Sequence, residues 1–143
     1  MSENQAFIER MFDTVINEGN VDAAPEFFAE DYVDHGPMGE MPGIEAFKQV
    51  VLAWRGAVPD VHCAIENYFE SGDLAAWNVR VTGTFTNEMM GMSPTGRSFE
   101  YVTPNIGRFN AEGKAVEHWA DQGMFQFLTQ IGALPAPAAG AAT

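Results

Sequence analysis

The spacing of apolar residues changes from helical to alternating near Asp60, and this change constrains the fold more than any other feature. Before it, apolar side chains recur every three or four residues, as in amphipathic helices that bury one face. After it, apolar and polar side chains alternate, as in strands with one buried face. Helices that precede a run of antiparallel strands predict an α+β fold.

The same patterns predict the order of the elements. Helices are expected at residues 2–19, 20–28, 44–57 and 124–131, with a short extended piece at 32–36 and a Gly/Pro loop at 37–43. Four strands are expected at residues 61–71, 74–86, 99–109 and 115–121. Three to four helices on one face of a strongly curved sheet leave a cone-shaped cavity, and small ligands bind in pockets of this kind.

Composition limits the possible partners. The 7 basic residues against 20 acidic ones give a net charge of −13, which argues against binding to nucleic acid or to an anionic membrane surface. No apolar run approaches the roughly 20 residues of a spanning helix, and the N-terminus does not resemble a signal peptide, so a cytoplasmic location is expected. We predict one domain at residues 1–133 and an Ala/Pro-rich flexible tail at 134–143.

Cys63 is the only cysteine, so neither an intrachain disulfide nor a thiolate metal cluster can form. A small buried hydrophobic residue is a more common role for such a cysteine than a nucleophile.

An unusual group of functional side chains occupies residues 117–121, in the last predicted strand. Strand alternation places Glu117, Trp119 and Asp121 on one face and His118 on the other, unless a bulge shifts the register. If Asp121 faces the cavity, Trp119 forms part of its wall. For His118, a role in the site and a role as a partly exposed sheet residue both remain open.

Five segments together resemble a known family: AEDYVDHGP (29–37), PGIEAFKQVV (42–51), VPDVHCAIENYFESGD (58–73), VRVTGTFTNEMMGMSPTGRSFEY (79–101) and GKAVEHWADQGMFQFLTQIGALP (113–135). In these segments the chain resembles the SnoaL-like polyketide cyclases, or ester cyclases, of the NTF2-like superfamily, which also includes ketosteroid isomerases and limonene epoxide hydrolases. The resemblance implies a conical α+β barrel that forms a homodimer or larger homo-oligomer. It also implies one pocket per chain for a small hydrophobic substrate, and no metal or organic cofactor.

The resemblance further implies that Asp121 is the acid/base of an intramolecular aldol closure and that His35 lies near the pocket. A carboxylate in a dry pocket suits this chemistry, because desolvation raises its pKa towards working pH. The residues alone leave alternatives open. Asp121 could instead cap the helix that begins near Gly123, and His35 could be a buried histidine bonded to the backbone.

Other candidates for substrate binding are Trp54, Tyr101 and Arg80. The two aromatic residues are expected in the core or in the pocket wall. Arg80 lies on the polar face of its strand, which suggests solvent or a subunit interface, but a polar pocket lining is the alternative. The resemblance also leaves an isomerase-like or epoxide-hydrolase-like enzyme as an alternative function, but Thr82 stands where an epoxide hydrolase would need a second carboxylate, which weakens the epoxide-hydrolase interpretation. A metal site at His35, Glu117, His118 and Asp121 is not expected, because these residues lie on different faces and lack a metal-binding spacing.

Two functional hypotheses follow. The first is a cofactor-independent cyclase or isomerase that uses Asp121 on an apolar carbonyl compound. The second is a non-catalytic NTF2-like domain that binds a small molecule. An Asp121 buried next to another polar group would favour the enzyme, whereas a filled pocket with Asp121 in solvent would favour the binding domain.

Overall fold

The computed structural model describes residues 2–135, so the predicted tail lies outside the described residues apart from Leu134 and Pro135. The helical elements are α1 (Glu3–Met11), which continues as a π-helical segment (Phe12–Asn17), a 3₁₀ helix (Val21–Glu26), α2 (Ile44–Ala57) and α3 (Met124–Gln130). The strands are β1 (Phe28–Gly36), β2 (Gly39–Pro42), β3 (His62–Ser71), β4 (Leu74–Thr84), β5 (Ser98–Phe109) and β6 (Ala115–Trp119). The prediction of an α+β fold is confirmed. The segment 37–43, predicted as a loop, is a turn followed by β2.

The six strands form one curved, open sheet in the order β2-β1-β6-β5-β4-β3. All neighbouring strands are antiparallel except β1 and β6, which run parallel. The parallel pair brings together two of the segments that resemble the family, residues 29–37 and 113–135. Asp34 lies opposite His118, and His35 lies opposite Trp119. Residues 84 positions apart in the chain are therefore neighbours in the sheet.

A β-bulge in β6 determines which of its side chains face the helices. Phe109 pairs with Ala115, and Arg108 pairs with Glu117, so Val116 is an extra residue on β6. One extra residue reverses the phase of the alternation. As a result His118 faces the helices, whereas Trp119 pairs with the exposed Ile106 and lies on the outer face. The expectation that Trp119 forms part of the cavity wall depended on Asp121 facing the cavity, and it is not met.

Hydrogen bonds at both ends of the first helical region hold it over the sheet. Ser2 caps α1 by accepting a hydrogen bond from the Gln5 amide at 3.1 Å, as the sequence predicts. At the other end, the Asn17 side chain donates to the Cys63 carbonyl oxygen at 2.9 Å and accepts from the Cys63 amide at 2.7 Å. Arg55 of α2 donates to the carbonyl oxygens of Ile16 and Asn17. These bonds join the π-helical segment to both β3 and α2.

The core consists of two aromatic clusters between the helices and the sheet. In one, Phe28 packs against Phe47 with ring centroids 4.5 Å apart, which joins β1 to α2. In the other, Phe127 of α3 is fully buried and packs against Trp54 at 4.7 Å and Phe99 at 5.0 Å. None of the described helices has the length and apolar character needed to cross a membrane.

Candidate active site

A cavity of about 150 Å³ lies between the helical layer and the concave face of the sheet. Its walls are mostly apolar, with side chains from α1, the π-helical segment, α2 and β3 to β5. The lining also includes a smaller set of polar side chains: Tyr32, Asp34, Arg55, Thr103, Asn105, Glu117, His118 and Gln122. An engineered protein cavity of roughly this size accepts a single aromatic ring, so the space suits a small molecule.

The most distinctive polar group in the cavity is the pair formed by Asp34 and His118. The carboxylate Oδ1 of Asp34 lies 3.1 Å from Nδ1 of His118. Asp34 is only 3% exposed, and the His118 side chain is 18% exposed. The parallel pairing of β1 with β6 places the two residues directly opposite each other. A buried carboxylate normally requires such a partner, because burial without one is costly.

Neighbouring hydrogen bonds determine where the protons of this pair lie. The Asn105 amide nitrogen donates to the Thr103 carbonyl oxygen at 3.1 Å, so its Oδ1 faces Nε2 of His118, 2.7 Å away. Since this oxygen can only accept, Nε2 carries a proton. The other ring nitrogen, Nδ1, lies within hydrogen-bond distance of the Asp34 carboxylate. Both ring nitrogens of His118 therefore have a hydrogen-bond partner, and these partners fix the orientation of the ring at the cavity.

Tyr32 completes the surroundings of Asp34. Its hydroxyl donates to Asp34 Oδ2 at 3.3 Å. Burial, followed by the nearby charge of Asp34, holds the pKa of Tyr32 well above its usual value. Tyr32 is therefore a neutral donor that fixes the carboxylate.

The sequence interpretation did not identify Asp34, Thr103 or Asn105, but β5 contains a signal for two of them. Every second residue of β5 from Phe99 to Phe109 faces inward and is buried. Most of these positions are apolar, but Thr103 and Asn105 are polar. Thr103 is 3% exposed and Asn105 is 6% exposed. Polar residues at core-phase positions of a strand need buried partners, so they indicate a functional pocket or a buried network.

Asp121 is not in the cavity lining; it is an exposed residue just beyond β6. Its Oδ1 accepts hydrogen bonds from Thr103 Oγ1 and from the Gly123 amide, both at 2.8 Å. Its backbone carbonyl accepts from the Met124 amide at 3.2 Å. This arrangement matches the expectation of a strand-end residue beside the start of α3, although the side chain bonds to the turn before the helix and not to the helix amides. It contradicts the expectation of a carboxylate at the closed end of the pocket. The physical cause is again the phase of β6 and the turn that follows it.

His35 and Trp119 lie on the outer face of the sheet and do not line the cavity. Their rings stack with centroids 5.2 Å apart and an interplanar angle of 9°. His35 Nε2 lies 2.8 Å from the Glu117 carboxylate, which also approaches Arg108 at 3.5 Å. The expectation that His35 lies near the pocket and works with Asp121 is therefore not met. Among residues 2–135, no group of three or more His, Cys, Asp or Glu side chains is placed to hold a metal ion.

Arg80 also lies on the outer face, because the inward-facing residues of β4 are Trp77, Val79 and Val81. Its guanidinium group pairs with the Glu66 carboxylate and, at 3.1 Å, with the Glu100 carboxylate. The outward position agrees with the strand alternation in the sequence and does not match the alternative of a polar pocket lining. This half-exposed ion pair stabilises the sheet only slightly.

Trp54, Tyr101 and His118 do line the cavity. Tyr101 is 4% exposed, and burial, with added contributions from Cys63 and Asp121, raises its pKa above the usual value. Trp54 packs against the buried Phe127. A role for these residues in substrate binding remains a prediction.

Cys63 is expected to react slowly with thiol reagents in the folded protein. It is buried, and desolvation raises the pKa of its thiol to about 12. At pH 8 the thiolate fraction is then about 10⁻⁴, against roughly a quarter for an unperturbed thiol. Reaction with a chromogenic disulfide should be at least about 100-fold slower than in the denatured chain. Equal rates in the two states would show that Cys63 is accessible.

Comparison with known proteins is consistent with this fold. The SnoaL-like polyketide cyclase profile matches residues 6–131. A search of curated proteins finds no match. The solved structure of IdmH from Streptomyces antibioticus, described as a candidate polyketide cyclase, is 28% identical, with a TM-score of 0.79 over 92% of this chain and 99% of that one.

Two further solved structures extend the comparison. AclR from Streptomyces galilaeus, described as a candidate hydroxylase, is 25% identical, with a TM-score of 0.82 over 96% of this chain and 86% of that one. A candidate SnoaL-like polyketide cyclase from a Jannaschia species is 22% identical, with a TM-score of 0.76 over 92% of this chain and 93% of that one; it supports the fold alone. The profile match covers most of the sequence, so the chain belongs to the SnoaL-like polyketide cyclase family and has its NTF2-like fold.

Proposed function

We propose that this protein is a cyclase-type enzyme that closes a small, apolar carbonyl compound by acid/base chemistry, with Asp34 and His118 as its proton-transfer unit. One observation carries the proposal: a buried carboxylate paired with an imidazole borders a mostly apolar cavity. A carboxylate and an imidazole that meet at such a cavity can act as base and acid on a bound molecule. Asp121 and His35 have no contact with the cavity, so we assign neither to the proton transfer.

An intramolecular aldol closure needs one proton to leave and one to return. The base removes a proton from the carbon next to one carbonyl, and the resulting enolate carbon bonds to the carbon of the second carbonyl. The new alkoxide oxygen then takes up a proton, so the net reaction needs no oxidant or reductant. Asp34 and His118 supply a carboxylate and an imidazole for these two proton transfers, and the neutral Tyr32 and Asn105 hold the pair in place.

The experiment uses heptane-2,6-dione, called the diketone below, whose aldol closure and dehydration give a conjugated enone that absorbs in the ultraviolet. The wild-type protein should accelerate enone formation. His118→Gln should reduce this acceleration by at least about 100-fold, because glutamine cannot exchange a proton. His62→Gln is the matched control, since His62 is an exposed residue of β3. Equal losses in the two variants would refute the role of His118.

A non-catalytic binding domain is the second candidate, and the exposed position of Asp121 outside the cavity lining favours it. Under this alternative, the diketone quenches the fluorescence of the cavity residues Trp54 and Trp77 but no enone forms. Our proposal requires both binding and closure. The homo-oligomer and the cytoplasmic location expected from the sequence remain predictions.

A further inference from the structure

We infer that the Gln122 side chain binds a second oxygen atom of the substrate, and hence that the substrate is a small dicarbonyl compound. The inference rests on the proposed function, because it concerns the same cavity. Gln122 lines that cavity and is partly exposed. Within residues 2–135, its amide makes no hydrogen bond to another side chain or to the backbone. A primary amide offers two donors and an acceptor, so it is free to bind a ligand.

The backbone at Gln122 adopts a conformation that glutamine rarely takes. Its φ is +58°, in the left-handed region, and the following Gly123 has φ +63°. Only glycine adopts this region without steric cost. Strained residues of this kind often occur at functional sites, where the surrounding structure imposes the conformation. Glycine would adopt this backbone conformation with less steric strain than glutamine does. The presence of glutamine therefore indicates that its amide side chain has a function.

Asp121 holds this turn in place and thereby acts as a positioning residue for Gln122. Its Oδ1 binds the Gly123 amide on one side of Gln122 and Thr103 Oγ1 on β5. Thr103 itself lines the cavity. The two bonds tie the turn to the sheet, so the backbone from which the Gln122 side chain extends is held in place.

The position of the Gln122 amide relative to the Asp34–His118 pair indicates the spacing of two substrate oxygens. Nε2 of Gln122 lies 3.4 Å from the place where a Cβ on Gly36 would sit. Gly36 follows Asp34 by two residues on β1, and a strand rises about 3.3 Å per residue, so the Gln122 amide lies beside a backbone position roughly 7 Å along the strand from Asp34. A substrate that places one carbonyl at each group therefore has several carbon atoms between its two carbonyls.

This placement gives the Gln122 amide a defined chemical role. The Asp34–His118 pair takes the proton next to the first carbonyl, while the Nε2–H of Gln122 donates to the oxygen of the second. That oxygen gains negative charge as the new carbon–carbon bond forms, and a fixed donor stabilises it. Gln122 thereby selects for substrates that carry the second carbonyl.

The test compares binding of the diketone with binding of the monoketone heptan-2-one, which has the same chain length and lacks the second carbonyl. The measured quantity is the affinity for the diketone divided by the affinity for the monoketone. This ratio should be about tenfold larger for the wild-type protein than for Gln122→Gly, as expected for one lost hydrogen bond. The midpoint of thermal unfolding of Gln122→Gly should rise by about 3 °C, because glycine relieves the strain. Gln126→Ala, on the exposed face of α3, should change neither the preference nor the affinity.

The outcomes separate this inference from the proposed function. A preference that is unchanged in Gln122→Gly overturns the inference, even if the wild-type protein closes the diketone. A wild-type protein that does not distinguish the two ketones also overturns it. A preference that disappears in Gln122→Gly supports the inference, and in that case failure to form enone counts only against the proposed acid/base function.

Discussion

Replacing Asp34 with asparagine is expected to lower kcat for closure of the diketone by about 10² to 10⁴-fold. Asparagine has nearly the same shape and can still bond to Tyr32 and His118, but it cannot take up a proton as a carboxylate does. The loss should therefore appear in kcat, whereas KM should change little. Enone formation, followed by ultraviolet absorbance, measures both constants.

Asp31→Asn provides the matched control, because Asp31 is an exposed residue of the same strand. It should keep the wild-type kcat. Thermal unfolding of both variants separates loss of chemistry from loss of fold. If Asp34→Asn lowers kcat only in proportion to the fraction of unfolded protein, the proton-transfer role is refuted.

The second large effect is on stability, and it concerns Gly123. This residue has φ +63°, and a Cβ built on it would lie 2.2 Å from Cε2 of the Tyr101 ring. Gly123→Ala therefore combines a left-handed backbone penalty with a clash against a buried ring. We expect a loss of about 2–5 kcal/mol in the free energy of unfolding, measured by denaturant titration. Because Tyr101 lines the cavity, the affinity for the diketone should fall as well.

Gly113→Ala isolates the backbone contribution. Gly113 also has positive φ, at +82°, but nothing lies within 4 Å of the Cβ position. Its loss of stability should be about 1–2 kcal/mol. Similar losses in the two variants would show that the Tyr101 ring moves aside at no cost, and that the turn after β6 does not fix the cavity wall.

Local patterns predicted much of the fold because local interactions decide it. Helical spacing predicted α2 with the bounds that the structure shows, and the Ser2 cap was predicted from the capping residues themselves. Strand alternation placed Trp77, Val79 and Val81 of β4 on the buried face, as observed. In each case the relevant partners are within a few residues in the sequence or follow from burial of one face.

The site was predicted less well because two non-local features determine it. The bulge at Val116 reverses the phase of β6, and no residue type near it signals an extra position. The parallel pairing of β1 with β6 brings Asp34 to His118, and this contact depends on the path of the whole chain. The sequence therefore identified the segment that contains DYVDH and predicted His35 as its functional residue, but the buried residue that borders the cavity is Asp34.

Asp121 illustrates how a motif can be located correctly and still be given the wrong environment. Its two hydrogen-bond partners, Thr103 and Gly123, come from β5 and from the start of α3. The sequence left helix capping open as an alternative, and the structure instead shows Asp121 bonded to the turn that precedes α3.

The central claim is that Asp34, and not Asp121, supplies the carboxylate of the proton-transfer unit. Its most direct test is kcat/KM for the diketone in Asp34→Asn and Asp121→Asn, since the same substitution is made at both carboxylates. The asparagine in Asp121→Asn keeps an oxygen that accepts from Thr103 and Gly123, so this variant should stay within about threefold of wild type, while Asp34→Asn should lose at least about 100-fold. Near-wild-type activity in Asp34→Asn, together with a large loss in Asp121→Asn, would contradict the account.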